Sequence, residues 1–142
     1  MMENPTDTRP QTVTHGQPID RAVGLKYAAG SVELYERVLG RFRELHDSDH
    51  IAIRQALAAG DSATTRRLLH SLKGLAAMVG ALPLRDETLR LENLCKAGAT
   101  DEAIAADLEG LERRLAEAFA AIDCLRPELR EASGPHGIGA PD

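Results

Sequence analysis

At 142 residues the chain is long enough for one domain with a buried core, and its formal net charge is −5. Aromatic residues make up only 3%, so leucine and alanine must fill the core, which favours helices over a sandwich or barrel. The negative charge and the lack of a basic run argue against nucleic acid as a partner. Two cysteines, no secretory signal and no apolar run of about 18 residues predict a reduced cytoplasmic protein outside the membrane.

Helical patterning begins after a polar leader. Residues 1–18 contain prolines and show no periodicity, so they are predicted to be disordered. A short helix is expected over 20–27, with Asp20 as its N-cap. The next helical segment runs from 32 to about 59, and its apolar stripe is interrupted at 46–50, where a kink or short loop is allowed.

Three further helices follow, each with a start or stop signal. Asp61 is expected to cap a helix that ends near Gly80, and the next helix covers about 84–97. The last helix begins near residue 101 with favourable acidic residues and carries the clearest apolar stripe of the chain. Pro127 is expected to stop it.

These elements predict one all-α domain between two tails. Four substantial helices with short connections favour an antiparallel up-down-up-down four-helix bundle, to which the short N-terminal helix is added. The expected division is a disordered leader over 1–18, a bundle domain over 19–126 and a flexible C-terminal tail over 127–142.

The helix that follows Asp61 carries the most informative pattern. At about 100° per residue its leucines gather on one side, and His70 points almost directly away from them. The residues near the direction of His70 are cationic or small, namely Arg66, Arg67, Lys73, Gly74, Ala77 and Ala81. An interior glycine costs a helix about 1 kcal/mol relative to alanine, so Gly74 indicates that a bulky group approaches here. The cations indicate an anionic group, and a neutral imidazole is a competent nucleophile for phosphoryl.

The run His70-Ser71-Leu72-Lys73-Gly74, followed by Gly80, resembles the signature of histidine-containing phosphotransfer (HPt) domains. The likeness extends over about 19–124. It implies a four-helix module that carries a phosphoryl group between receiver-domain aspartates in a multistep phosphorelay. By that resemblance His70 is the phosphorylated residue, and Lys73 and Gly74 are its usual companions. Ala77 and Gly80 occupy positions that the family keeps small.

The resemblance implies a phosphoryl carrier and not an enzyme. The expected partners are receiver domains of response regulators and of a hybrid histidine kinase. The receiver is expected to supply Mg²⁺, so no cofactor or metal of the chain's own is expected, and Lys73 supports the charge of the phosphoryl group. No glycine-rich phosphate loop follows a strand, so phosphorylation from ATP is not expected. The candidate partner-binding residues of this monomer are Arg66, Arg67, Gly74, Ala77, Met78 and Gly80.

Several alternatives stay open at this stage. A helical adaptor could bind a receiver or kinase without carrying phosphate. His46 and His50 have the spacing of two metal ligands on a helix, as in a metal-dependent bundle enzyme, although no third ligand is evident. Arg66 and Arg67 fit ordinary solvation of a helix face as well as docking to an acidic receiver surface. Met78 fits either the edge of the core or a partner contact.

Overall fold

The computed structural model describes residues 16–139, and side chains within residues 16–133. All regular elements in this range are α-helices, as predicted, and it contains no strand. The elements are α1 (Arg21–Tyr27), α2 (Val32–His46), α3 (Asp49–Ala58), α4 (Ser62–Val79), α5 (Leu82–Lys96) and α6 (Asp101–Gly139). The first 15 residues of the predicted leader and the last three of the predicted tail lie outside the described range. None of the helices in this range is long and apolar enough to cross a membrane.

Local capping chemistry sets the helix starts. The side chain of Asp20 accepts hydrogen bonds from the first backbone N–H groups of α1, as predicted. Ser31 does the same for α2, and Asp61 accepts from the Thr64 N–H at the start of α4. At the end of α4, Gly80 adopts the left-handed conformation (φ 84°) that terminates helices and favours glycine.

The long second segment of the sequence is divided into two helices. Its chain leaves the helical pattern after His46 and resumes at Asp49, within the stretch where a kink or loop was allowed. His46 Nδ1 lies 2.8 Å from Asp49 Oδ2, so the interruption is bridged by its own side chains. α2 and α3 therefore contribute successive parts of one side of the bundle.

The bundle is antiparallel, and most of its core side chains are aliphatic. α4 packs against α5, α2 against α6, and α6 closes the bundle by also contacting α3 and α5. Each of these helices buries one apolar stripe and leaves the other face in solvent. The largest side chains that are fully buried include Tyr35, Leu39, Ile53, Leu69, Leu72, Leu84, Leu91, Leu108, Leu111 and Ile122.

The last helix does not stop at Pro127, so that prediction was wrong. α6 continues to Gly139, and residues 127–139, assigned to a flexible tail, are helical. A proline inside a helix removes one hydrogen bond and costs about 3 kcal/mol. Packing around it offsets this cost, because Leu125 and Leu129 are both buried in the core. Beyond the proline, Arg130 also donates a hydrogen bond to the buried Glu36 of α2.

α1 covers the end of α4. The N–H of Asp20 donates to the carbonyl of Gly80 at 2.7 Å, and the hydroxyl of Tyr35 donates to the carbonyl of Val79 at 2.7 Å. Both contacts satisfy backbone oxygens that the helix end leaves without a partner in α4. They fix the end of the helix that carries His70.

Candidate functional site

His70 stands outward on α4, as the helical pattern predicted. Its side chain is 70% exposed, whereas Leu69 and Leu72 on the opposite side of the helix are fully buried. Because the apolar side of α4 is fixed in the core, the orientation of the imidazole follows from the packing of the helix. The ring is accessible to another molecule.

A buried carboxylate holds one nitrogen of this ring. His70 Nδ1 lies 2.9 Å from Oε2 of Glu92 on α5, and the Glu92 side chain is only 5% exposed. An ionised carboxylate can only accept hydrogen bonds, so a neutral imidazole in this contact carries its proton on Nδ1. Nε2 then keeps its lone pair, which a neutral imidazole can use as a nucleophile.

Lys73 binds the other oxygen of the same carboxylate. Its Nζ donates to Glu92 Oε1 at 2.7 Å, and Lys96 Nζ lies 4.0 Å from Glu92 Oε2. The hydrogen bond from Lys73, followed by that from His70, holds the pKa of Glu92 below its ordinary value despite burial. Glu92 is therefore ionised at neutral pH. We call His70, Lys73 and Glu92 the Glu92 triad.

The helix surface next to the imidazole is bare. A Cβ added to Gly74 would meet no atom within 4 Å among the described residues, so this surface is open space. Ala77, one turn further, is half-buried, and Met78 is exposed. The expected opening beside His70 is thus present in the structure.

Gly80 does not belong to this opening, and its assignment as a partner-binding residue was wrong. It is buried beneath the chain's own N-terminal segment, where an added Cβ would clash with the carbonyl oxygen of Asp20. Its left-handed φ also favours glycine. Its small size therefore serves the packing of α1 on α4.

Arg66 and Arg67 are exposed on the turn of α4 that precedes His70. Within residues 16–133 neither has a carboxylate oxygen within 4.0 Å, in contrast to Arg54, which is bound to Glu112. The two guanidinium groups add positive potential beside the imidazole without being committed to a structural contact.

Comparison with known proteins agrees with this geometry. The family model described as Hpt domain matches residues 37–124, which is more than half of the chain. The chain belongs to the Hpt domain family. The match includes the whole Glu92 triad and leaves out α1, the start of α2 and the end of α6. Neither a curated protein nor a solved structure gives a match.

Membership of the Hpt family indicates a general function in phosphotransfer. Hpt domains are helical bundles that act as phosphocarriers in phosphorelays, where they interact with receiver domains, and they are not kinases. The all-α bundle predicted from the sequence and the resemblance to HPt domains are confirmed.

Glu92 is the site residue that the sequence interpretation missed. It occupies the edge of the apolar face of α5, one turn after the buried Thr88. With Lys96 four residues later, it has the spacing of an ordinary surface ion pair on a helix. Its main partners lie on another helix, 22 and 19 residues away, and no local pattern reveals them.

The two histidines at the α2–α3 junction are not brought together as metal ligands. His46 contacts Asp49. Across the part of the chain that the structure describes, no group of three or more His, Cys, Asp or Glu side chains is placed to hold a metal. The geometry therefore gives no support to a metal-dependent enzyme based on His46 and His50.

Proposed function

We propose that His70 accepts a phosphoryl group on Nε2 from an aspartate of one receiver domain and passes it to another. The observation that carries this proposal is the exposed imidazole whose Nδ1 is bound to a buried, ionised Glu92. A histidine with an incidental surface role needs no such contact. The open space over Gly74 supports the approach of a second protein to the same ring.

The transfer uses the lone pair of Nε2. This pair attacks the phosphorus of the aspartyl phosphate in line, a nitrogen–phosphorus bond forms, and the electrons of the breaking phosphorus–oxygen bond leave with the receiver's carboxylate. The proton on Nδ1 stays in place, so the ring becomes a cation. Glu92 stabilises that cation through the hydrogen bond it already accepts. The return of the group to a second receiver reverses these changes.

The two lysines near His70 have a different role. Lys73 keeps Glu92 ionised, and with Lys96 it supplies positive charge near an incoming phosphoryl group. This chain adds a nucleophile and charge, and the receiver is expected to bring the Mg²⁺ and its own acidic pocket. In this proposal Arg66, Arg67, Gly74, Ala77 and Met78 form the surface on which the receiver rests near His70.

The proposal also includes the remaining features of the carrier. We expect a monomer that acts in the cytoplasm, binds neither nucleic acid nor membrane, and takes phosphoryl from the receiver of a hybrid histidine kinase. Size-exclusion chromatography with light scattering tests the monomer, since a dimeric mass in the unphosphorylated state would contradict it.

A direct labelling experiment separates the carrier from an adaptor that binds a receiver without carrying phosphate. A receiver labelled with radioactive phosphoryl is mixed with the wild type and with His70→Gln. We expect acid-labile, base-stable label on the wild type alone. His50→Gln is the control, because His50 lies in a pocket lined by residues of α2, α3 and α6 and by none of α4, and it should be labelled like the wild type. Binding without label on any variant would favour the adaptor.

A further inference from the structure

The contact between His70 and Glu92 also bears on the ring after it has been phosphorylated. Glu92 Oε2 lies 2.9 Å from Nδ1, and the Glu92 side chain is 5% exposed. An ionised carboxylate has no proton to donate, so it binds Nδ1 only while Nδ1 carries a proton. A ring without that proton would turn the Nδ1 lone pair toward a buried anion at hydrogen-bond distance, and this arrangement costs free energy.

The two lysines keep Glu92 in this accepting state. Among the described residues, the charged groups that act on Glu92 besides His70 are Lys73 of α4 and Lys96 of α5. Lys73, through its hydrogen bond to Oε1, and Lys96, through its charge, lower the pKa of Glu92. Because Lys73 occupies Oε1, the other oxygen is left for His70. Glu92 is therefore an acceptor for Nδ1 throughout the neutral and alkaline range.

The proton on Nδ1 decides how easily the nitrogen–phosphorus bond breaks. When an aspartate or a water molecule attacks phosphorus, the electron pair of that bond returns to Nε2. A ring that is protonated on Nδ1 then leaves as a neutral imidazole and needs no further proton. A ring without that proton leaves as an imidazolide anion and must gain a proton as the bond breaks. With water as the attacking group, the first route gives neutral His70 and dihydrogen phosphate, which holds both protons of the water.

The phosphorylated nitrogen would be open to water as well as to a receiver. The His70 side chain is 70% exposed. A Cβ added to Gly74 would meet no atom within 4 Å among the described residues. Water fills this open space when no receiver is bound, so the same ring faces two competing phosphoryl acceptors.

We propose that Glu92 keeps the phosphorylated ring of His70 protonated on Nδ1, so that the phosphoryl group is short-lived on this chain and is passed to a receiver or lost to water rather than stored. This inference rests on the function proposed above and adds the lifetime of the carrier state. Glu92 acts through the ring as a positioning residue. A relay that uses this carrier would stop soon after its phosphoryl supply stops.

The test measures how long the phosphoryl group remains on the isolated protein. Wild type, Glu92→Gln and Glu36→Gln are labelled by a receiver charged with radioactive acetyl phosphate, and are then separated from the receiver and Mg²⁺. Labelling of Glu92→Gln is prolonged, because this variant is expected to accept phosphoryl more slowly. The release of inorganic phosphate is followed from about pH 5 to about pH 9, on both sides of the pH of about 6.5 at which an ordinary imidazole titrates.

The glutamine variant should lengthen the lifetime in a way that depends on pH. Its amide can donate an N–H group to an unprotonated Nδ1, so the ring is free to lose its proton. At about pH 8 we expect a half-life about tenfold longer on Glu92→Gln than on the wild type, and at about pH 5, where both rings are protonated, the half-lives should converge. Glu36→Gln is the control, because Glu36 is bound to Arg126 and Arg130, and it should match the wild type at every pH.

Nuclear magnetic resonance of the phosphorylated wild type decides the question without a variant. We expect the proton on Nδ1 to persist to about pH 9, and its loss near pH 6.5 would overturn the inference. A half-life on Glu92→Gln that is equal to or shorter than that of the wild type at about pH 8 would do the same, as would equal lengthening by Glu36→Gln. These results would leave the carrier function intact. Absence of label on the wild type from every receiver would overturn the carrier function and this inference together.

Discussion

Two glutamates are buried among the described residues, and their surroundings divide the bundle into two regions. Glu36 of α2 accepts hydrogen bonds from Arg126 and Arg130 of α6, while Glu92 accepts from Lys73 and His70. Both carboxylates are satisfied, as buried charges must be. We call Glu36, Arg126 and Arg130 the Glu36 cluster. Guanidinium groups are permanently charged donors, so this cluster has a single chemical state. The Glu92 triad contains an exposed imidazole whose second nitrogen can form a covalent bond. The triad can therefore have two chemical states, one with that bond and one without it.

The same contrast holds for two glycines. Gly40 lies under the Glu36 cluster, where an added Cβ would be 2.7 Å from Nη2 of Arg126. An added Cβ on Gly74 would meet nothing within 4 Å among the described residues. Gly40 is small because the side chain of Arg126 occupies the space next to it. Gly74 has no such internal reason among the described residues, which agrees with the proposed approach of a receiver over it.

The largest effect is expected from Gly74→Leu. The side chain would occupy the space over which the receiver approaches, so phosphotransfer should fall about a hundredfold or more. Folding should be preserved, with a gain of about 0.7 kcal/mol from helix propensity. Transfer assays combined with urea unfolding measure both quantities.

Gly40→Leu provides the contrast with Gly74→Leu. It displaces Arg126 from Glu36 and should cost stability without blocking transfer by the folded protein. Full transfer by Gly74→Leu would show that the bare surface at residue 74 has no role in docking.

A smaller effect on transfer is expected from Glu92→Gln. An amide can turn its N–H₂ toward Nδ1, which moves the ring proton to Nε2 and blocks the nucleophile. We expect the maximal transfer rate to fall about tenfold, equivalent to about 1.4 kcal/mol. Rapid-quench kinetics at saturating receiver would measure it.

Glu36→Gln is the matched control for Glu92→Gln, because it makes the same change in the other cluster. It should lower the free energy of unfolding by about 2 kcal/mol and leave the transfer rate within twofold. If the two variants slowed transfer equally, the distinction between the two regions would be lost.

The smallest effect concerns pH. The pKa of Glu92 is held below its ordinary value of 4.5, chiefly by the hydrogen bond from Lys73, so its ionised form is favoured by folding. The contribution of ionised Glu92 to the free energy of unfolding is therefore complete above about pH 4.5. It is lost as the pH falls through the lower pKa that Glu92 has in the folded state. The difference in unfolding free energy between the wild type and Glu92→Gln should be constant at neutral pH and shrink below about pH 4.5. Urea titrations along a pH series measure it, and a difference that persisted unchanged to about pH 3 would contradict this role of Glu92.

Local patterns predicted most of the fold and two of the three residues of the Glu92 triad, His70 and Lys73. The outward direction of His70 follows from helical periodicity alone, because the leucines of α4 fix the opposite face in the core. The continuation of α6 through Pro127 depends on the burial of Leu129, a long-range packing effect that outweighs a local helix-breaking preference. Glu92 could not be predicted for a related reason. Its partners come from a neighbouring helix, and its spacing to Lys96 is that of a surface pair.

The nitrogen chemistry of His70 is the most direct test of the account. Long-range ¹H–¹⁵N correlation spectra of the protein with ¹⁵N-labelled histidine report which ring nitrogen carries the proton and, after phosphorylation by a receiver, which one is bonded to phosphorus. The geometry predicts a proton on Nδ1 in both states and phosphorus on Nε2. Phosphorus on Nδ1, or a phosphorylated residue other than His70, would contradict the claim that Glu92 holds the ring for transfer.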